Sequence, residues 1–330
     1  MKVAVVGATG AVGETIVRVL EERQLPVATL GPFASRPHQA AVRFRGSALD
    51  VIRASDESLR GFDVVFFAGG EEASERYAPA LVERGSIVID NSSTYRMREG
   101  VPLIVPEVNG DAILPQHRLF PVANCTAIVL CTALRPIRDV AGLRSVRVAT
   151  YQAASGAGRP GLDELYAQER ALARGDPEPG PAVFPRTLAR NVVPQVGDLD
   201  ELGWSGEERK VRDETRKMLA LPDLIVSATA VRVPVRTAHS AAVFVETERP
   251  TSAGELGAAL GVAPGIVFHE AGIVTPRDVE GGDAVHVARL RAESDRHFAL
   301  WIVGDQLRKG AATNAVQILE LLLAKGFVAA

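Results

Sequence analysis

Few side chains in this 330-residue sequence are suited to covalent chemistry. Its only two cysteines, Cys125 and Cys131, share one segment, LFPVANCTAIVLCTA at 119–133. Cys131 lies in the apolar run Ala127-Ile128-Val129-Leu130, which is predicted as buried helix, and a buried free cysteine behaves as a small hydrophobe. Cys125 follows Pro121-Val122-Ala123-Asn124, a junction that leads into the helix. At a helix start the positive end of the dipole favours the thiolate, and a thiolate there is a potential nucleophile. On local residues alone both readings of Cys125, nucleophile and packing, stay open.

A thiolate nucleophile needs a proton partner and a grip on its substrate. Of the six histidines, His38, His117, His269, His286 and His297 read as surface or locally satisfied groups. His239 differs: in RVPVRTAHS (232–240) two arginines precede it, which suggests carboxylate recognition beside acid–base chemistry. Glu207 and Lys210 stand three apart in the helical stretch EERKVRDETRKML, so both can face one site, though a surface ion pair has the same spacing. At the N-terminus Gly7-Ala8-Thr9-Gly10-Ala11-Val12-Gly13 links an apolar run to a helical pattern, where a dinucleotide loop belongs. The next strand leads to Ser35 and Arg36 with no carboxylate before Asp50. A serine and an arginine there suit a 2′-phosphate, hence NADP rather than NAD.

Several elements must position these groups. Val3–Val6, VVFFA (64–68) and IVID (87–90) are apolar runs without alternation, as in strands buried on both faces of a parallel sheet. With helices at Glu14–Arg23 and Ala73–Arg84 and a strand at Val27–Leu30, they predict a doubly wound α/β sheet over roughly the first 120 residues. After Arg135 the strands lengthen and partly alternate: Val146–Gln152, Leu224–Val233, Ala241–Thr247, Ala284–Leu290 and His297–Val303. That pattern predicts an α+β domain with a mixed or antiparallel sheet. Arg174–Pro185 reads as a loop and Ala311–Lys325 as an amphipathic helix.

The length predicts two domains. A formal net charge of −3 gives no electrostatic case for nucleic acid or a membrane surface. No apolar run reaches the roughly 20 residues of a membrane helix, and MKVAVVG lacks the sections of a signal peptide. Two cysteines without CxxC spacing suggest neither a disulfide framework nor structural zinc, and a reducing cytoplasm is expected.

Taken in order along the chain, the motifs resemble the aspartate-β-semialdehyde dehydrogenase family. The resemblance is carried by GATGAVG (7–13), FFAGG (66–70), DNSSTYRM (90–97), VPEVN (105–109), ANCTA (123–127), YQAASGAG (151–158), EERK (207–210), RVPVRTAHS (232–240) and KGAATNAVQ (309–317). It implies a Rossmann domain of residues 1–127 with 306–330, and an inserted domain, 128–305, for substrate binding and dimerisation. Cys125 matches the family's nucleophile, Gln152 the glutamine beside it and His239 the acid–base residue. Arg232 matches the grip on the α-carboxylate and Glu207 the carboxylate facing the amino group. Arg96, Lys210 and Asn91 match the phosphate-binding groups. Gly7, Thr9, Gly10, Ala11, Val12, Gly13, Ser35, Arg36, Ser155, Gly156 and Asn314 match contacts to NADP. In Ser35-Arg36-Pro37 the family's usual intervening residue is absent.

The resemblance implies conversion of 4-phospho-L-aspartate to L-aspartate 4-semialdehyde and phosphate through a cysteine thioester. That is a step toward lysine, methionine, threonine, isoleucine and diaminopimelate, in a homodimer or dimer of dimers. N-acetyl-γ-glutamyl-phosphate reductase has the same chemistry, but its cysteine usually sits between proline and glycine, and Glu207 suits a free ammonium better than an acetamide. A catalytically silent NADP-binding paralogue would lack Cys125, Gln152 or His239, and all three are present.

Overall fold

The computed structural model describes residues 1–35 and 41–329, so Arg36 and His38 lie outside the described residues. Two compact units are present, Met1–Asn124 with Ala311–Ala330, and Cys125–Gly310. In the first, six strands lie in the order β5-β2-β1-β6-β7-β8, and every neighbouring pair is parallel. They are β1 (Lys2–Val6), β2 (Thr29–Ala34), β5 (Ile52–Arg53), β6 (Val64–Phe67), β7 (Ile87–Asp90) and β8 (Leu119–Pro121). The apolar runs of β1, β6 and β7 are buried on both faces, as strands between helical layers must be. The helices are α1 (Ala11–Glu22), α2 (Glu71–Glu83), α3 (Pro106–Asn109) and the closing α9 (Thr313–Ala324). Helix α9 packs on α1, α3 and β7, tied by Arg23 to Glu320 at 2.9 Å and by Gln317 Nε2 to Glu107 Oε1 at 2.7 Å. This is a Rossmann-like sheet whose last helix comes from the far end of the chain.

Two local expectations are revised. Strand β2 runs from Thr29 to Ala34 rather than Val27 to Leu30; the Ala28 N–H is instead used by the Met1 carbonyl. A hairpin not expected from the sequence, β3 (Ala41–Phe44) and β4 (Ser47–Asp50), turns at Arg45 and Gly46 with φ of 48° and 78°. Both turn residues take positive φ, the geometry matched to hairpin twist, and an arginine in the first position hides the usual Asn-Gly signal.

The second unit holds a mixed sheet in the order β10-β9-β11-β14-β13-β12. Its strands are β9 (Ser145–Tyr151), β10 (Ile225–Thr229), β11 (His239–Glu246), β12 (Ile266–His269), β13 (Val285–Ala292) and β14 (His297–Gly304). The β9–β10 and β12–β13 pairs are parallel and the others antiparallel. The helices are α4 (Cys125–Ala141), α5 (Gly158–Arg174), α6 (Gly206–Leu219), α7 (Ala253–Val262) and α8 (Pro276–Val279). Helix α4 packs against α6 and α7 and reaches β13 and β14, covering one face of the sheet. The expected strand 224–233 stops at Thr229; beyond it Arg232 makes only isolated bridges to Gln152 and Val193.

By register, Tyr151, Ile225, Phe244, Trp301 and Val267 all point to the other face. Tyr151, Ile225, Phe244 and Val267 are exposed there, and Tyr151 stacks on Trp301 at 5.4 Å. His286 and His269, read from the sequence as surface or locally satisfied groups, are joined on this face by an Nε2···Nδ1 contact of 2.9 Å. Neighbouring β12 and β13 bring them together, a pairing invisible in linear spacing.

Candidate functional site

Cys125 is the first residue of α4 and is partly exposed. Cys131, nearly two turns on, is fully buried, and burial pushes its thiol up to about 12, so it stays protonated and unreactive at neutral pH. Gly310, in the π-helical turn Arg308–Ala312, lies directly on the first cysteine. A methyl group at Gly310 would come within 3.0 Å of Cys125 Cβ and 3.3 Å of its Cα.

Gln152 leaves the end of β9 and is buried. Its Nε2 donates to Glu207 Oε1 at 3.0 Å, and the same oxygen accepts the Thr126 hydroxyl at 3.3 Å. Glu207 sits in the first turn of α6, with Lys210 one turn further along. That helix starts at Ser205 with a capping box: Ser205 Oγ accepts the Glu208 N–H and Glu208 Oε2 accepts the Ser205 N–H. The other Glu208 oxygen takes the Ala230 N–H at 3.0 Å, which ties α6 to the segment leading to Arg232.

Arg232 is 6% exposed. Its backbone exchanges two hydrogen bonds with Val193, its Nη1 donates to the Ala153 carbonyl at 2.7 Å, and its guanidinium lies 5.7 Å from the centre of the Phe184 ring. Burial lowers its pKa, while the charges of Glu207 and Cys125 act in the opposite direction. It is a fixed cation in electrostatic reach of both.

His239 opens β11 directly after Ala238, which takes the left-handed φ of 70°. A left-handed alanine is strained and persists only where its surroundings hold it. Here its N–H donates to Gln306 Oε1 at 2.7 Å, and Gln306 Nε2 donates to Ser155 Oγ. One glutamine thus secures both the histidine and the Ser155–Gly156 turn. His239 Nδ1 accepts the Ala153 N–H at 3.1 Å, so the neutral ring carries its proton on Nε2. That nitrogen is buried and has no hydrogen-bond partner. Burial first and the Arg232 charge second push the His239 pKa down to about 3, with only the Ala238 backbone opposing. A methyl group on Gly156 would lie 2.6 Å from Arg232 Nη1 and 3.1 Å from His239 Nε2, so glycine leaves open the space both groups border. A part-exposed thiol at a helix start, two N–H donors, a buried cation and a carboxylate can together support acyl transfer through a thioester.

The glycine loop lies in the first unit. Gly7 has φ of 86°, and its N–H and that of Ala8 both donate to the Phe33 carbonyl, which fastens the loop to β2. Side chains at Gly7 or Gly13 would strike backbone at 2.6 and 2.1 Å, whereas one at Gly10 would meet only the Gly7 carbonyl at 3.4 Å. Among the described residues no side chain caps α1, whose first N–H groups, at Ala11, Val12 and Gly13, can serve an anion. Ser35 is exposed just past β2, and Thr9 is exposed in the glycine loop; Arg36 lies outside the described residues. Asn314 is fully buried, with Nδ2 bonded to the Ile104 carbonyl at 3.0 Å and Oδ1 buried without a partner. An uncapped helix start, an unhindered Gly10 and an orphaned amide oxygen fit a dinucleotide.

In the same unit Asp90 accepts from Ser74 and from the Ser92 N–H and hydroxyl, and so shapes the loop after β7. Arg96, 8% exposed, donates from Nη2 to the Asn91 carbonyl at 3.0 Å, and Asn91 Oδ1 is buried without a partner. Thr126, Thr150, Gln306 and Gly310 take part in the second-unit cluster and were not singled out from the sequence. Most of their partners lie far along the chain, and only the ANCTA motif around Thr126 and the KGAATNAVQ motif around Gly310 offered a signal. Among the described residues, no group of three or more His, Cys, Asp or Glu could hold a metal, and no helix is long and apolar enough to cross a membrane.

Residues 2–115 match the family model described as semialdehyde dehydrogenase, NAD binding domain, and residues 134–309 match semialdehyde dehydrogenase, dimerisation domain. Aspartate-semialdehyde dehydrogenases of Shewanella violacea and Bacillus subtilis are each 41% identical to this chain, covering 97% and 98% of it and 97% of their own lengths. The crystal structure of aspartate semialdehyde dehydrogenase II from Vibrio cholerae superposes with a TM-score of 0.94 at 39% identity, covering 98% of both chains. A second crystal structure of that enzyme, complexed with ASA, matches equally well.

Proposed function

The chain belongs to the aspartate-semialdehyde dehydrogenase family, and from that premise we propose how its residues divide the work. The reaction is the NADPH-dependent reductive dephosphorylation of 4-phospho-L-aspartate to L-aspartate 4-semialdehyde, a step of amino-acid biosynthesis. The Cys125 thiolate attacks the acyl phosphate carbon, the C–O bond to phosphate breaks, and a thioester forms. Arg96 and Lys210 supply positive charge to the departing phosphate, with Asn91 as a further polar contact. Bound NADPH supplies the hydride that reduces the thioester. The resulting oxyanion is met by N–H donors from Gln152 and His239, then collapses to the aldehyde and expels the Cys125 thiolate. Arg232 holds the substrate α-carboxylate and Glu207 its ammonium group. The loop Gly7–Gly13 would hold the phosphates of NADP, Ser35 and Arg36 its 2′-phosphate, and Ser155, Gly156 and Asn314 its nicotinamide end.

The observation that carries this reading is His239 Nε2, buried and unpartnered, facing the space that Gly156 leaves open beside Arg232. A buried donor without a partner costs free energy unless a ligand completes it. Residues 1–127 with 306–330 serve the cofactor and 128–305 the substrate and the dimer. A homodimer forms through the open sheet face, where Tyr151, Ile225, Phe244 and Val267 present an apolar patch. The Cys125 thiol works in a reducing cytoplasm. The test is phosphate-dependent oxidation of L-aspartate 4-semialdehyde with NADP and with NAD. NADP should be the better acceptor, and Cys125→Ala should lower kcat by on the order of 10⁴-fold or more while NADP binding stays near normal. An active Cys125→Ala enzyme would remove the basis for the assignment.

A further inference from the structure

Behind Gln152 lies a hydroxyl that none of the roles above uses. Thr150 points to the covered face of β9 and is fully buried. Its Oγ accepts the Val231 N–H at 3.1 Å and donates to Gln152 Oε1 at 3.0 Å. With one lone pair on the Val231 N–H, the hydroxyl places its proton toward the glutamine carbonyl. On the opposite side of the amide, Nε2 donates to Glu207 Oε1 at 3.0 Å. An ionised carboxylate can only accept. Turning the amide over would set carbonyl against carboxylate and would require the Thr150 hydroxyl to turn its proton away and accept the NH₂ on its second lone pair.

One amide orientation thus satisfies both neighbours, and it has a chemical consequence. Thr150 holds the Gln152 carbonyl on its own side, and Glu207 takes one Nε2 hydrogen. The second Nε2 hydrogen is the donor left, and it is what the amide can offer an oxygen on the reacting carbon. Glu207 alone would hold this orientation in the empty site. Once a substrate ammonium competes for the same carboxylate, the hydroxyl anchor is what keeps the amide from turning over.

We propose that Thr150 is a positioning residue for the reaction: through its hydroxyl it keeps the Gln152 amide with Nε2–H forward, as a donor to the oxygen of the group bound to Cys125. The proposal rests on the reading that Gln152 serves the Cys125 centre.

Thr150→Val removes the hydroxyl at nearly constant shape, and Thr150→Ser retains it. With L-aspartate 4-semialdehyde, phosphate and NADP, Thr150→Val should lose about 10-fold in kcat, the scale of one well-placed hydrogen bond, while KM for semialdehyde and NADP changes less than about 3-fold. Thr150→Ser should recover kcat to within about 3-fold of wild type. In a Gln152→Ala background, followed by single-turnover measurement with enzyme in excess, Thr150→Val should cost nothing further, because it acts through the missing amide. Alkylation of Cys125 by iodoacetamide should proceed at the wild-type rate in both variants. Unchanged kcat in Thr150→Val, no rescue by serine, or the same 10-fold loss repeated in Gln152→Ala would each overturn the proposal. A wild-type enzyme that does not oxidise the semialdehyde would instead overturn the function on which it rests.

Discussion

The neutral, buried His239 makes the stability of the second unit depend on pH in a calculable way. In the unfolded chain this imidazole titrates near 6.5, and in the folded unit burial and Arg232 hold it down to about 3. Above pH 6.5 both states are neutral and nothing is gained or lost. Between 6.5 and 3 the unfolded chain binds a proton that the native unit refuses, so stability falls as pH falls, by up to about 1.4 kcal/mol per pH unit. From pH 7 to pH 5 the histidine should therefore remove about 2 kcal/mol. His239→Gln is uncharged at both values and should lack this component. The two tryptophans, Trp204 and Trp301, both lie in Cys125–Gly310, so urea unfolding followed by tryptophan fluorescence reports on that unit. Wild type should thus lose about 2 kcal/mol relative to the variant on going from pH 7 to pH 5. Parallel pH dependences in the two proteins would show that the imidazole is not held neutral by its burial, and the reasoning would fail.

Other consequences can be checked directly. Gly156→Ala should reduce kcat/KM by on the order of 10²-fold with little change in melting temperature, because its methyl group lands on the tips of Arg232 and His239; steady-state kinetics alongside thermal melting decides this. Gly10→Ala should leave the fold intact but raise KM for NADP about 10-fold, whereas Gly13→Ala should destabilise the first unit, since its added carbon would sit 2.1 Å from the Gly7 carbonyl. Limited iodoacetamide treatment at neutral pH followed by peptide mapping should label Cys125 and spare Cys131, and Cys131→Ala should retain turnover.

The parallel sheet was legible because continuous apolar runs at 64–68 and 87–90 leave few alternatives to strands buried on both faces. Helix α6 was legible from the spacing of Glu207, Lys210 and their neighbours. The hairpin at 41–50 was not, since an Arg-Gly turn carries no strong propensity signal and the strands are short. Within the site, the residue types of Cys125, Gln152, Arg232 and His239 could be named from motifs. What linear order could not convey was the set of partners that give those residues their states. The Ala153 N–H that selects the His239 tautomer lies 86 positions away, and Gln306 reaches across 151 residues to Ser155. The histidine pair on β12 and β13 was missed for the same reason: it exists only through strand register.

Gly310 against Cys125 has an architectural meaning as well as a steric one. These are the last and first residues of the second unit, so the chain leaves that unit where it entered. A segment whose ends meet can be spliced into a host domain as a single insertion, needing only two adjacent joints in the recipient. Cys125, the proposed nucleophile, stands at one of those joints of the compact unit. Loops between 126 and 309 can then change in length while the contact between 125 and 310 still holds the two ends of the segment together.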